Sequence, residues 1–218
     1  LKSGQATPPT APAALAEWDF ESGAAPAIPL TLHGGAKISE GALHLNGRDA
    51  WASSGPLAAT LKARTLEAWV SLANLDQTGG GVFTVQDLEG DVFDAIVFAE
   101  NGPRQWLAGS NNFARTNPSP RPKESDAVNR PVHVAITWSD DGTIRLFRDG
   151  APYGQPYKSN GPVTFAAGES MVQFGCRHGQ PSGNRLLAGA IHRARLYDRA
   201  LTPDEITRTA ALEAAFVP

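Results

Sequence analysis

The stretch that decides the fold is PVHVAITWSDDGTIRLFRDGAPYG, Pro131–Gly154. Val132, Val134, Ile136 and Trp138 alternate with His133, Ala135 and Thr137, the period of a strand with one apolar face. Asp141-Gly142 then supplies a pair able to take positive φ, and Ile144, Leu146 and Arg148 begin a second alternation, so the segment predicts an antiparallel hairpin. Asp149-Gly150 offers another tight turn and extends the hairpin into a meander.

The same pattern spreads outward. TLEAWVSL puts Leu66, Ala68, Val70 and Leu72 on one face and Glu67, Trp69 and Ser71 on the other. GALHLNG and AWASSG alternate over a few residues, and SMVQFGCR and RLLAGAIHRARLYD read as further strands. GGVFTVQD and VFDAIVFAE are apolar on both faces, as in central strands covered on both sides. With 22 Gly and 17 Pro to end short strands, and charged residues at only 19%, the composition favours a sandwich or barrel over a helix bundle. A chain of 218 residues buries about 70% of its unfolded surface, enough for a real core. Trp18, Trp51 and Trp138 are expected to pack inside it.

One helix is expected. Thr202 is its N-cap, Pro203 its first residue, and Glu205 completes a capping box, so residues 203–218 read as a C-terminal helix and an exit toward a possible further domain. LKSGQATPPTAPAALA, Leu1–Ala16, has no periodic pattern and reads as a linker or arm, leaving the sandwich at 17–202.

Several function classes lose support at this level. A net charge of -3 gives no basic face for nucleic acid. Cys176 is the one cysteine, which precludes an intrachain disulfide and a cysteine-based zinc site; it reads as a small buried hydrophobe. No apolar run approaches the ~20 residues of a membrane span. His33, His44, His133, His178 and His192 show no metal-ligand spacing, and TGGGVF precedes a strand, not the helix that a phosphate loop needs. No metal or cofactor is expected.

GALHLNGRDAWASSGPL, TLEAWVSL, VHVAITWSDDGTIRLFRDGAPYG, MVQFGCRHG and LLAGAIHRARLYDRALTPDEI follow one another in a recognisable order. In that order and spacing the chain, from about Glu17 to Ile206, resembles the bacterial laminin-G-like branch of the concanavalin A-like lectin/glucanase superfamily. The most specific part is the ending, a G-x-I-x-x-x-R-x-Y-x-R-A-L strand followed by a Thr-Pro-x-Glu-Ile helix start. The resemblance implies an all-β fold, an antiparallel two-sheet jelly-roll sandwich with a short C-terminal helix, one sheet curved into a concave groove.

The resemblance also implies sites to test against these residues. Similar domains often carry an acidic pair just after the Ile of the last strand, and some hold calcium between the first and last strands. Here those positions are His192 and Arg193, whose nitrogens cannot replace the oxygens that calcium takes, although Asp19 and Glu21 stand near the first strand. Calcium is therefore not expected. Arg193 and Arg195 are expected on a solvated strand face with Tyr197, paired with nearby carboxylates, or else against a neighbouring domain. The glucanase branch uses Glu-x-Asp-x-x-Glu, and EGDVFD supplies Glu89, Asp91 and Asp94 at the same offsets. Retaining glycosidases need their carboxyls about 5–5.5 Å apart. Gly90 suggests a turn under Glu89 and Asp91, and Asp94 is one methylene shorter than Glu, so a glycoside hydrolase using these residues is the alternative reading and a non-enzyme the expectation.

Two polar segments have the composition of a sugar-binding rim. RQWLAGSNNFART offers Arg104, Trp106, Ser110, Asn111, Asn112 and Arg115, an indole with amides and guanidinium groups. RHGQPSGNR offers Arg177, His178, Asn184 and Arg185. The expected function is a non-catalytic binding module, for carbohydrate or for an intramolecular neighbouring domain, within a larger bacterial extracytoplasmic protein. A structural spacer with no small-molecule ligand is a further alternative.

Overall fold

The structure, a computed structural model, describes residues 11–160 and 162–214. The first ten residues of the expected arm and the last four of the C-terminal segment lie outside them. The elements are β1 (Ala16–Asp19), β2 (Leu30–His33), β3 (Lys37–Ser39), β4 (Ala42–Asn46), β5 (Trp51–Ser54), β6 (Arg64–Leu72), β7 (Gly80–Asp87), β8 (Phe93–Phe98), β9 (Trp106–Ser110), β10 (Val132–Trp138), β11 (Thr143–Arg148), β12 (Ala151–Pro152), β13 (Tyr157–Lys158), β14 (Ser170–Phe174), β15 (Ala188–Tyr197) and α1 (Pro203–Ala214). The large sheet runs β12-β11-β10-β6-β15-β4-β3, with β1 added to β15 and β13 to β11; the small sheet runs β2-β5-β14-β7-β8-β9.

All of the pairings are antiparallel, and the predicted hairpin is β10–β11. Asp149 and Gly150 form the two-residue loop to β12 with φ of 49° and 76°, the positive pair that matches the twist of a tight hairpin. The core lies between the sheets. Leu66, Ala68, Val70 and Leu72 of β6 and Val132, Val134, Ile136 and Trp138 of β10 meet Phe83, Val85, Ile96, Phe98, Val172 and Phe174 of the small sheet. Trp18 bridges the two layers, its ring edge-on to Phe83 at 5.6 Å and to Phe174 at 5.1 Å.

The sandwich begins slightly earlier than the composition suggests. Leu15 donates its N–H to Leu196 O at 2.8 Å, and Ala16 is buried in β1. In β15 the register shifts between Ile191 and Arg193, so His192 is an extra residue and Ile191, Ala194 and Leu196 all keep their side chains in the core. The capping box is present: Thr202 N–H donates to Glu205 Oε2 at 2.9 Å and Glu205 N–H to Thr202 Oγ1 at 3.3 Å.

Helix α1 lies on the outer face of the large sheet and changes the character of that face. Arg195 and Tyr197, expected on a solvated face, are buried, as are Glu67 and Trp69 on the same side of the sheet. The Glu67 carboxylate accepts His133 Nε2 at 2.7 Å, the Tyr197 hydroxyl at 3.0 Å and the hydroxyl of Thr209 from the helix. Gly150 N–H donates to His133 Nδ1 at 3.3 Å, which leaves Nε2 as the protonated nitrogen facing Glu67. Burial raises the carboxyl's pKa, but these donors outweigh it and hold Glu67 below the usual carboxylate range. Arg195 covers the Trp69 ring at 5.1 Å and pairs with Glu17 at 2.9 Å; Arg193 pairs with Asp19 at 2.5 Å. The pairing expectation for both arginines holds, and the solvated face does not.

Candidate functional site: a self-covered sheet and its rim

The outer face of the small sheet lies on the side of the sandwich away from α1. After β14 the chain turns at Gly175, φ 81°, and the segment Cys176–Leu186 doubles back across that face. Thr84 donates its hydroxyl to Arg177 O at 2.8 Å, Gln173 Nε2 donates to Cys176 O at 3.2 Å, and Gly179 N–H donates to Gln86 Oε1 at 2.8 Å. All three polar side chains are at most 2% exposed, so the segment replaces water over them. The fit requires glycine below it: a Cβ at Gly81 would stand 2.2 Å from Arg177 Cα, and one at Gly90 would stand 2.4 Å from Gly179 Cα. The strap thus covers the outward side chains Thr84 and Gln86 of β7 and, through His178, the ring of Phe93 at the start of β8.

The strap carries one expected cluster. Arg177 is buried and holds Glu100 at 2.5 Å, Gly79 O at 3.1 Å and Asn184 Oδ1 at 3.2 Å. Burial pushes the Glu100 carboxyl upward, against the pull of Arg177 and Arg185. His178 stacks on Phe93 with ring centres 4.1 Å apart and planes 6° apart, and its Nδ1 donates to Gly90 O at 3.0 Å. That bond leaves the lone pair on Nε2, and burial holds the imidazole's pKa below its ordinary value, so it offers an acceptor at neutral pH. Asn184 is exposed, and Arg185 Nη1 donates to Gln180 O at 3.2 Å.

The other cluster divides into buried support and an exposed tip. Trp106 is a correction to the sequence reading: it opens β9, is 0% exposed, and donates Nε1–H to the buried Glu124 at 2.7 Å. An indole with both faces in the core has none to offer a ligand. Arg104 sits on the preceding loop with φ 61°, largely exposed, and pairs with Asp76 at 3.4 Å. Ser110 is buried and accepts Arg115 N–H at 2.9 Å. Arg115 in turn donates Nε to Asp94 at 2.9 Å and Nη2 to Asn111 Oδ1 at 2.8 Å and Phe93 O at 3.0 Å. Phe93 thus touches both clusters, through its carbonyl to Arg115 and its ring to His178.

Between these anchors Asn112 and Phe113 stand at φ 50° and 55°. Left-handed backbone costs a non-glycine residue about 1–2 kcal/mol, and Asn tolerates it far better than a bulky aromatic. Phe113 is nevertheless 49% exposed, with no core burial to justify its place. Among the described residues, neither Nδ2 of Asn111 nor the Asn112 amide has a partner. Composition pointed to this segment, but an indole drew attention away from the phenyl ring beside it.

The three acidic residues of EGDVFD do not assemble. Glu89 and Asp91 are exposed on the turn after β7. Asp94 is the second residue of β8, fully buried, between the guanidinium groups of Arg64 and Arg115. A carboxylate enclosed by two arginines and 0% exposed has no open side for a substrate. Between the first and last strands the Arg193 guanidinium lies on Asp19, whose Oδ1 also accepts Glu21 and Ser22 N–H at 3.1 Å. No cluster of three or more metal-binding side chains occurs among the described residues.

Two antiparallel layers packed face to face, with one short C-terminal helix, make the fold a jelly-roll sandwich. The family model described as concanavalin A-like lectin/glucanases superfamily, of laminin G type, matches residues 46–207, and the chain belongs to this family. Among solved structures it is similar to Trypanosoma rangeli sialidase in complex with 2,3-difluorosialic acid, at 20% identity and TM-score 0.62, over 86% of this chain and 30% of the sialidase. It is similar also to domain 4 of AbnA, an extracellular GH43 arabinanase from Geobacillus stearothermophilus, in complex with arabinotriose: 18% identity, TM-score 0.65, over 90% of this chain and 98% of that domain. At these identities the likeness concerns the fold. The chain spans less than a third of the sialidase's length. No curated protein sequence matches it. No helix among the described residues is long and apolar enough to cross a membrane.

Proposed function

We propose that this chain is a non-catalytic glycan-binding module of a larger extracytoplasmic protein. The observation that carries the reading is its similarity over 98% of a domain solved with arabinotriose bound and belonging to an extracellular enzyme. The sialidase match, confined to 30% of that protein, supports a role as one module among several. The non-catalytic part rests on Asp94, whose carboxylate is consumed by Arg64 and Arg115 while Glu89 and Asp91 lie in solvent.

Because the strap fills the sheet face, sugar contact is assigned to the rim. Asn111, Asn112, His178 and Asn184 offer accessible polar groups there, whereas Ser110, Arg115 and Arg177 hold the rim in place and Trp106 belongs to the core. Calorimetric titration with arabinotriose, beside a reducing-sugar assay on the same material, tests the reading. Saturable binding without hydrolysis supports it; hydrolysis overturns it. The strap also favours a second reading, a structural spacer, and heat-silent titrations with arabinotriose and every other glycan tried would decide for the spacer.

A further inference from the structure

We infer that Phe113 is the stacking platform of the glycan site and that the ligand it takes is an uncharged sugar; this rests on the glycan-binding reading above. Three observations converge on it.

The first is exposure under constraint. Phe113 is one of few large apolar side chains left nearly half in water, and it is held at φ 55° directly after Asn112 at φ 50°. An unfavourable backbone persists only where the surroundings over-determine it, and such positions concentrate at ligand contacts. Here the over-determination is visible. Arg115 N–H is tied to Ser110 Oγ, the Thr116 hydroxyl to Ala108 O at 2.7 Å, and the Arg115 guanidinium to Asn111, Phe93 and Asp94. The buried ion pair therefore serves as the footing of the turn, which presents its ring without having to order it on binding.

The second is the set of polar groups around the ring. Arg115 takes the Asn111 carbonyl oxygen, which turns the Nδ2 donors outward, and the Asn112 amide brings a donor and an acceptor. A flat apolar ring beside paired amide donors and acceptors suits the C–H face and hydroxyl edge of a pyranose or furanose.

The third is charge. From Ser110 to Thr116 the only charged side chain is Arg115, which is buried and spends its guanidinium inward on Asp94, Phe93 O and Asn111. A carboxylated or sulfated sugar finds no free cation on this turn, so the site favours neutral glycans.

The test uses a glycan array of immobilised neutral and sialylated oligosaccharides, probed with the full chain and with Phe113→Gly, Phe113→Tyr and Ile38→Ala, the last removing an equally exposed apolar side chain on β3. Glycine accepts the left-handed backbone without strain, so Phe113→Gly removes the ring while keeping the turn, and its thermal midpoint stays within about 3 °C of the parent. The expected result is neutral-glycan binding that falls about tenfold or more in Phe113→Gly and survives in Phe113→Tyr and Ile38→Ala. Undiminished binding by a folded Phe113→Gly protein would overturn the platform and leave the glycan reading intact. Binding of sialylated members alone would overturn the neutral class. An array with no signal from the parent chain would overturn the glycan-binding reading and this inference with it.

Discussion

Replacing Asp94 with asparagine is the sharpest perturbation of this fold. Asn keeps the volume and one acceptor oxygen but removes the negative charge. Asp94 is 0% exposed; Arg64, also 0% exposed, and Arg115, 7% exposed, both point at its carboxylate. The remaining Arg64 contacts are the carbonyls of Lys62 at 2.6 Å and Val163 at 2.8 Å, with the Phe165 ring 4.7 Å away. None of these carries a compensating charge. Stranding a buried charge by removing its partner costs about 3–5 kcal/mol. For a domain of this size each kcal/mol moves the thermal midpoint by about 2–4 °C, so Asp94→Asn is expected to lower it by roughly 6–20 °C. Differential scanning calorimetry at pH 7 measures this, and Arg115→Met alone and combined with Asp94→Asn gives the coupling. A midpoint shift below about 2 °C would refute the footing role. A stable Asp94→Asn protein that had lost a measurable hydrolytic activity would go further and restore the carboxylate to catalysis.

Three other outcomes follow from the same geometry. Trp106→Phe removes the indole donor from Glu124 and is expected to cost about 1–3 kcal/mol in urea unfolding while leaving glycan affinity unchanged. Gly81→Ala drives a Cβ into Arg177 Cα at 2.2 Å, so hydrogen exchange at Arg177 and Gly179 N–H should quicken markedly before the core strands are affected. Acid should destabilise the fold: Glu124, held by Arg148 and Trp106, is lowered to about 2 from an ordinary 4.5, and Glu67 is lowered by His133 and Thr209. A depressed carboxylate contributes stability above its unfolded pKa and loses it as pH falls through the folded one, so urea midpoints should drop steeply between about 4.5 and 2, after a smaller decline that begins below about pH 6.5, where the unfolded chain protonates His178 and His192, whose pKa values burial lowers in the fold.

Long-range pairing explains most of what the sequence left hidden. Alternation in TLEAWVSL and VHVAITW identified the β6–β10 faces because periodicity is a local property. The strap was invisible because its partners lie about ninety residues away: nothing in GGVFTVQD says that Thr84 and Gln86 will bond to Arg177 and Gly179. The composition of RQWLAGSNNFART suggests a sugar-binding rim, yet Trp-Leu-Ala-Gly-Ser is the short strand β9, in which Trp106 and Ala108 share one parity and both face the core. Parity also held a signal for Asp94, which falls on the face of Ile96 and Phe98 and therefore had to be buried. Helix α1 was legible from its capping box, but not the sheet face it would roof, since Glu67 meets Thr209 across more than a hundred residues. Phe113 carried no sequence mark at all; only its φ and exposure single it out.

The most direct measurement is an amide-resolved NMR titration of the chain with arabinotriose. Saturable shifts should gather at residues 111–116 and around His178, with the amides of residues 82–86 under the strap unmoved and no free arabinose accumulating. Shifts centred on residues 82–86, which would mean that the strap opens to admit a ligand, or release of arabinose during the titration, would contradict a sealed sheet face that recognises sugar only at its rim.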